Sequence, residues 1–289
     1  MNRSLRQSKG ICISLFLIFL LLSLSSCVSH LKEAKFYYAQ AESSSRQYRT
    51  EDAIASYKRA MDEAGIEVKQ HPSAQAYMLK GMAELNLQMW KEAEQSFLSA
   101  LSHGFEKAEE WAQEVSLLGL ASTLEEFGVE HSVLDVYSHL LETSKLRQVS
   151  FFAAQRYMDL MLKRALSKGG EDREKILSDS LKTAEKLTQK DLSCSFYHYL
   201  LSQVLSHLSE YERSFEEAVV AKELGLPTEK VSRDNDLQIV FCYQMLKEKL
   251  SAPEWKDFEA RYMKWVERWK WKGPETPTWK KEATHAARD

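Results

Sequence analysis

The sequence is poor in the residues that punctuate, crosslink or catalyse. It has five prolines and ten glycines in 289 residues. No two glycines frame a phosphate loop, and no Gly-x-Ser-x-Gly turn presents a nucleophile. Four cysteines include no Cys-x-x-Cys pair. The eight histidines (30, 71, 103, 131, 139, 198, 207 and 285) include none spaced four apart, the interval that puts two imidazoles on one helical metal site. A concentrated basic face is missing too. The formal charge is −3, which argues against nucleic acid as a partner. Alternating strand patterns of useful length are absent. Together these gaps exclude most enzyme classes, a metal centre and a bound cofactor as expectations from the sequence.

What is present is a cadence of about 40 residues, the range of stacked repeats. Small residues recur at Ala41, Gly81 and Ala121, and twelve positions later at Ala53, Ala93 and Val133. Aromatics follow at Tyr57, Phe97 and Tyr137, then Ala60, Ala100 and Leu140, then Met61, Leu101 and Leu141. Within each unit the apolar positions step by three and four, as on one face of a helix. Each unit therefore reads as a helix, a short turn and a second antiparallel helix. Gly65, Gly104, Gly169–Gly170 and Gly225 are expected just past second helices as left-handed caps. All five prolines are expected between elements.

The second unit, with Gly81, Ala93, Phe97 and Ala100, resembles the tetratricopeptide repeat, whose pattern includes A-x₃-F-x₂-A after a small residue in the first helix. The first unit supplies Ala41, Ala53, Tyr57 and Ala60 inside EDAIASYKRAMDEA. The third, and two degenerate units around Leu177, Leu181 and Ala184 and around Ser214, Ala218 and Ala221, carry less of the pattern. The cadence exceeds the family's usual 34, and the closing proline appears only at Pro227. The resemblance implies an all-α, right-handed helical-hairpin solenoid of about five to six helix pairs. It further implies repeats over 31–227, a helical cap over 228–272 and a tail over 273–289.

Before the repeats lies one long apolar run. Arg3, Arg6 and Lys9 precede Ile11 to Leu24, and Leu24-Ser25-Ser26-Cys27 follows. This resembles the signal peptide and lipobox of a bacterial lipoprotein. It implies removal of 1–26, a lipidated anchor and short linker at 27–30, and lipid on Cys27. With Val28 next, outer-membrane attachment facing the periplasm is expected. Removing residues 1–27 takes away three positive charges and no negative ones, leaving −6. Cys194 and Cys242 are expected as free buried thiols, because their offset along parallel helices exceeds disulfide reach.

The tetratricopeptide resemblance also places the first helices along a concave groove. Tyr38, Met78, Met82, Leu85, Leu118 and Tyr199 are the expected partner-binding positions, suited to a protein or peptide partner in the envelope rather than a small-molecule substrate. A second candidate surface is the aromatic C-terminal seam, where Trp265, Trp269 and Trp271 stand out. The seam is read first as a helix capping the array with its aromatic face inward, and second as such a surface. The function expected is that of a lipid-anchored scaffold, with an architectural subunit as the alternative.

Overall fold

The computed structural model describes residues 29–269. Among them are twelve α-helices and no strand, arranged as six consecutive pairs. The fold is the expected all-α array of helical hairpins. The chain divides into two compact units after Tyr157, inside the seventh helix.

The first unit contains α1 (His30–Arg46), α2 (Thr50–Gln70), α3 (Ala74–Asn86), α4 (Trp90–His103), α5 (Glu110–Glu126), α6 (Glu130–Thr143) and the start of α7 (Arg147–Leu166). Every helix from α1 to α5 packs on its successor, and α3 also touches α1 and α5. First helices of successive hairpins therefore lie side by side. The repeated small residues make this possible. Ala41, Ala93, Ala121 and Val133 are fully buried, and the ring of Phe97 is enclosed between Gly81 of α3 and Gly119 of α5.

The turn inside these hairpins is also repeated. Tyr48, Gln88 and Gly128 each adopt a left-handed conformation at the end of a first helix, 40 residues apart, and Ser209 does so in the second unit. The next amide returns to a carbonyl five residues back: Arg49 to Ser44, Met89 to Glu84, Val129 to Leu124 and Glu210 to Leu205. These are the six-to-one bonds of a Schellman closure, and the second helix starts at once.

The second unit holds the rest of α7, α8 (Gly170–Lys190), α9 (Ser195–His207), α10 (Tyr211–Leu224), α11 (Glu229–Lys249) and α12 (Ala252–Arg268). Helices α8 to α11 pack in sequence, and α9 also meets α11. Phe215, Ile239, Cys242, Phe258 and Tyr262 share one core across α10, α11 and α12. Cys194 and Cys242 are both free and buried, as expected.

Three expectations about punctuation are corrected. Gly65 lies inside α2, because that helix runs 21 residues and keeps Ala64 buried. Gly169 and Gly170 separate a first helix from a second rather than closing a hairpin: α7 ends at Leu166 and α8 starts at Gly170, each 40 residues after the matching bound of α5 and α6. Pro253 sits in the first turn of α12, behind a Ser251–Glu254 capping box, where its missing N–H has no intrahelical partner to lose.

Candidate functional site

The side chains available for binding follow from which faces the hairpins leave uncovered. In the first unit, most of the expected groove residues are committed to packing. Met78 is 3% exposed and clusters with Ala100 and Ala112. Met82 and Leu85 are half-buried against the Phe97 cluster. Leu118 is half-buried as well. Tyr38 packs edge-on against Tyr57, with centroids 5.5 Å apart. The Tyr57 hydroxyl donates to Glu42 at 2.6 Å, and the Asn86 amide donates to the Tyr38 hydroxyl at 3.2 Å. Burial, then the Glu42 carboxylate, raises both phenols far above their ordinary range. Tyr38 and Asn86 thus present a polar edge, whereas Met78 is withdrawn from the surface. The reason is steric: its side chain faces the next hairpin, whose Ala112 has no bulk to fill the gap.

In the second unit, three successive first helices line an open cleft of about 330 Å³. Helix α7 contributes Asp159, Leu162, Lys163 and Leu166, α9 contributes Gln203, Ser206 and His207, and α11 contributes Gln238. Tyr199 is buried beneath, at 5% exposure, and accepts a 2.7 Å bond from the Gln203 amide. It supports the cleft from below rather than lining it as expected. Burial, followed by the charges of Asp234 and Asp159, pushes its phenol far up. Gln238 donates to Ser214 at 3.1 Å and reaches Cys242 at 3.4 Å. Burial and, second, the Arg173 guanidinium hold the His207 imidazole below its ordinary value, so it is neutral near pH 7.

The cleft therefore offers amide, hydroxyl and neutral imidazole groups between an acidic and a basic side chain one turn apart on α7. Leu166, 65% exposed, supplies an apolar lip. Such a mixture suits hydrogen bonding to a peptide backbone more than enclosure of a small molecule. Of these residues, Tyr199 and Gln203 were expected in the groove. Helix α7 ends 40 residues after α5, in register, but carries Met161 where the earlier first helices have Gly81 and Ala121, so the small-residue pattern gave no signal for it.

A second depression, of about 580 Å³, lies in the first unit. Ile54, Lys58, Met61 and Asp62 of α2 face Leu87, Gln88 and Met89 in the turn after α3. It is shallow and partly apolar.

The C-terminal seam turns inward. Trp265 stacks 5.4 Å from Phe215, and Trp255 meets Tyr243 at 4.9 Å. Trp269 lies under Lys222 at 5.3 Å. Arg261 and Arg268 pair with Glu212 and Glu223 of α10 at 2.9 and 2.8 Å, clamping α12 down. Trp265 and Trp269 thus pack against the second unit's core and help close it, because α10 and α11 present aromatic rings that need covering. Trp271 and Cys27 lie outside the described residues. No helix among the described residues is long and apolar enough to cross a membrane.

No protein-family model and no curated protein matches the sequence. Among solved structures, the chain is similar to YrrB, described as a TPR protein with an unusual peptide-binding site, at 19% identity over 70% of this chain and 90% of that one, with a TM-score of 0.39. It is similar to pilF of Pseudomonas aeruginosa at 12% identity over 80% of this chain and 99% of that one, with a TM-score of 0.47. The TPR domain of P58(IPK) follows at 12% identity, covering 86% of this chain and 65% of that one, with a TM-score of 0.35.

Proposed function

We propose that this protein is a non-catalytic, lipid-anchored scaffold of the bacterial cell envelope that captures a peptide segment of a partner protein. The observation that carries the reading is the cleft across α7, α9 and α11, where three parallel helices converge amides and hydroxyls on one open surface. Anchoring by lipid on Cys27, on the periplasmic side of the outer membrane, is supported by the basic, apolar and small-residue order of the first 27 residues. Tethering confines both partners near one surface, so weak contacts in the cleft suffice for capture.

The test is crosslinking in intact cells through a photo-reactive residue at Leu166. One dominant envelope protein, lost on Gln203→Ala, is the expected result. Palmitate labelling that disappears on Cys27→Ser is expected for the anchor. A second reading, an architectural subunit bound through its outer side, draws on the larger depression beside Ile54 and Met61. An adduct from a probe at Ile54, with none from Leu166, would replace the first reading with the second.

A further inference from the structure

We propose that His30, Glu33 and Glu63 form a site for a divalent transition-metal ion, with zinc the best fit, joining α1 to α2. His30 opens α1 and Glu33 stands three residues on, so the imidazole and the carboxylate share one face of the first turn. Glu63 comes from the antiparallel α2 and meets His30 Nδ1 through Oε2 at 2.7 Å. One donor atom from each of the three side chains lies within 4.8 Å of the others.

Packing fixes the donors. Ala34 and Ala64, next in sequence to Glu33 and Glu63, are fully buried with Leu79 in one apolar layer. The backbones that carry the ligands are therefore held against each other, and little ordering remains for an ion to impose. The side chains of His30 and Glu63 are 30% and 22% exposed, leaving one open side for water or a fourth ligand. Three protein donors with an open position is a common zinc arrangement. The imidazole separates this set from a calcium or magnesium site, which calls for six or more oxygens or for retained waters. Without metal, two carboxylates face one titratable imidazole. A dication held by the imidazole lone pair offsets both negative charges.

His30 follows Cys27 by three residues. An ion there would brace the hairpin nearest the proposed anchor. The site itself does not depend on the lipid reading.

The experiment is calorimetric titration of the full chain with zinc, alongside cobalt(II) followed by visible absorption. One equivalent is expected to bind, with absorption bands of a low-coordinate cobalt centre. His30→Ala and Glu33→Gln should each weaken binding at least tenfold, whereas His71→Ala, just past the C-terminal end of α2 and beside Glu67, should leave it unchanged. Melting of each variant in chelator, matched to wild type in chelator, separates loss of the site from loss of the fold. Zinc binding that survives His30→Ala at full strength, or no binding by the wild type, overturns the proposal and leaves His30–Glu63 as an ion pair alone. Equal stabilisation by magnesium would overturn the part assigned to the imidazole.

Discussion

The ring of Phe97 occupies the space that a β-carbon on Gly119 would need: that atom would stand 2.2 Å from Cζ. At Gly81, on the other side of the same ring, the approach is 3.0 Å. Both positions are helical, so alanine gains about 1 kcal/mol of helix preference at each. Overpacking costs about 1–3 kcal/mol, and only at Gly119 does the clash clearly exceed the gain. Gly119→Ala should destabilise the first unit by about 1–2 kcal/mol, while Gly81→Ala should fall near neutral. Urea unfolding checks both. Adding Phe97→Leu to Gly119→Ala should recover part of the loss, and simple additivity of the two changes would contradict the contact.

The left-handed turn residues offer a test free of packing. Tyr48 has φ 58° and is 93% exposed, so its ring stabilises nothing that substitution could remove. A left-handed L-residue is strained by about 1–2 kcal/mol, partly offset by the greater chain entropy of an unfolded glycine. Tyr48→Gly should therefore raise stability by about 0.5–1 kcal/mol, and Tyr48→Ala should not. Gly128→Ala, at φ 71°, should lower it by about 1 kcal/mol. A stabilising alanine at Gly128 in thermal melts would contradict the Schellman geometry.

Those turns also show where the sequence was readable and where it was not. The period of Ala41, Gly81 and Ala121 disclosed the hairpins, because small residues at close helix crossings leave a periodic trace. The repeated turn was invisible: Tyr48, Gln88 and Ser209 share a backbone conformation with Gly128 and no chemistry with it. Faces were legible, but coverings were not. Met78 and Met82 lie on the same apolar stripe, and only the next hairpin decides that one is enclosed and the other half open. Most of the cleft escaped for a different reason. Asp159 and Leu166 belong to a helix that keeps the cadence but not the small residue at its Met161 position, and a polar cleft has no period of its own.

Glu84 is a buried carboxylate that no pattern announced. It is 2% exposed, receives Lys80 Nζ at 2.6 Å and accepts from the Ser96 hydroxyl at 2.6 Å, tying α3 to α4. Removing one partner of such a pair strands a charge, at a cost of about 3–5 kcal/mol. Lys80 is 29% exposed on its side chain, so Lys80→Met should fall at the lower end, about 3 kcal/mol. The double change Lys80→Met with Glu84→Leu should be less damaging than Lys80→Met alone, since no charge is left behind. Denaturant midpoints for the two variants decide it. A double variant worse than the single would show that the pair stabilises the hairpin in its own right.

His198 makes the stability of the second unit depend on pH. It is 7% exposed, with Nδ1 2.5 Å from a Glu217 oxygen and Nε2 3.0 Å from the Leu192 carbonyl. Carboxylate and carbonyl only accept, so both ring nitrogens must donate and the imidazolium is the form that satisfies them. The Glu217 bond is the main cause of a raised pKa; burial opposes it, and the Leu192 carbonyl and the Asp191 charge add to the rise. A raised value means that the folded protein holds the proton more tightly than the unfolded chain. The contribution is then complete below the unfolded value of about 6.5 and is lost as pH rises through the folded value. Wild-type urea midpoints should fall as pH rises above about 6.5. In Glu217→Gln the amide can donate to Nδ1 of a neutral ring whose Nε2–H still reaches Leu192. That variant should lose most of this slope while remaining folded. Equal slopes in the two proteins would show that His198 is already neutral where the stability changes.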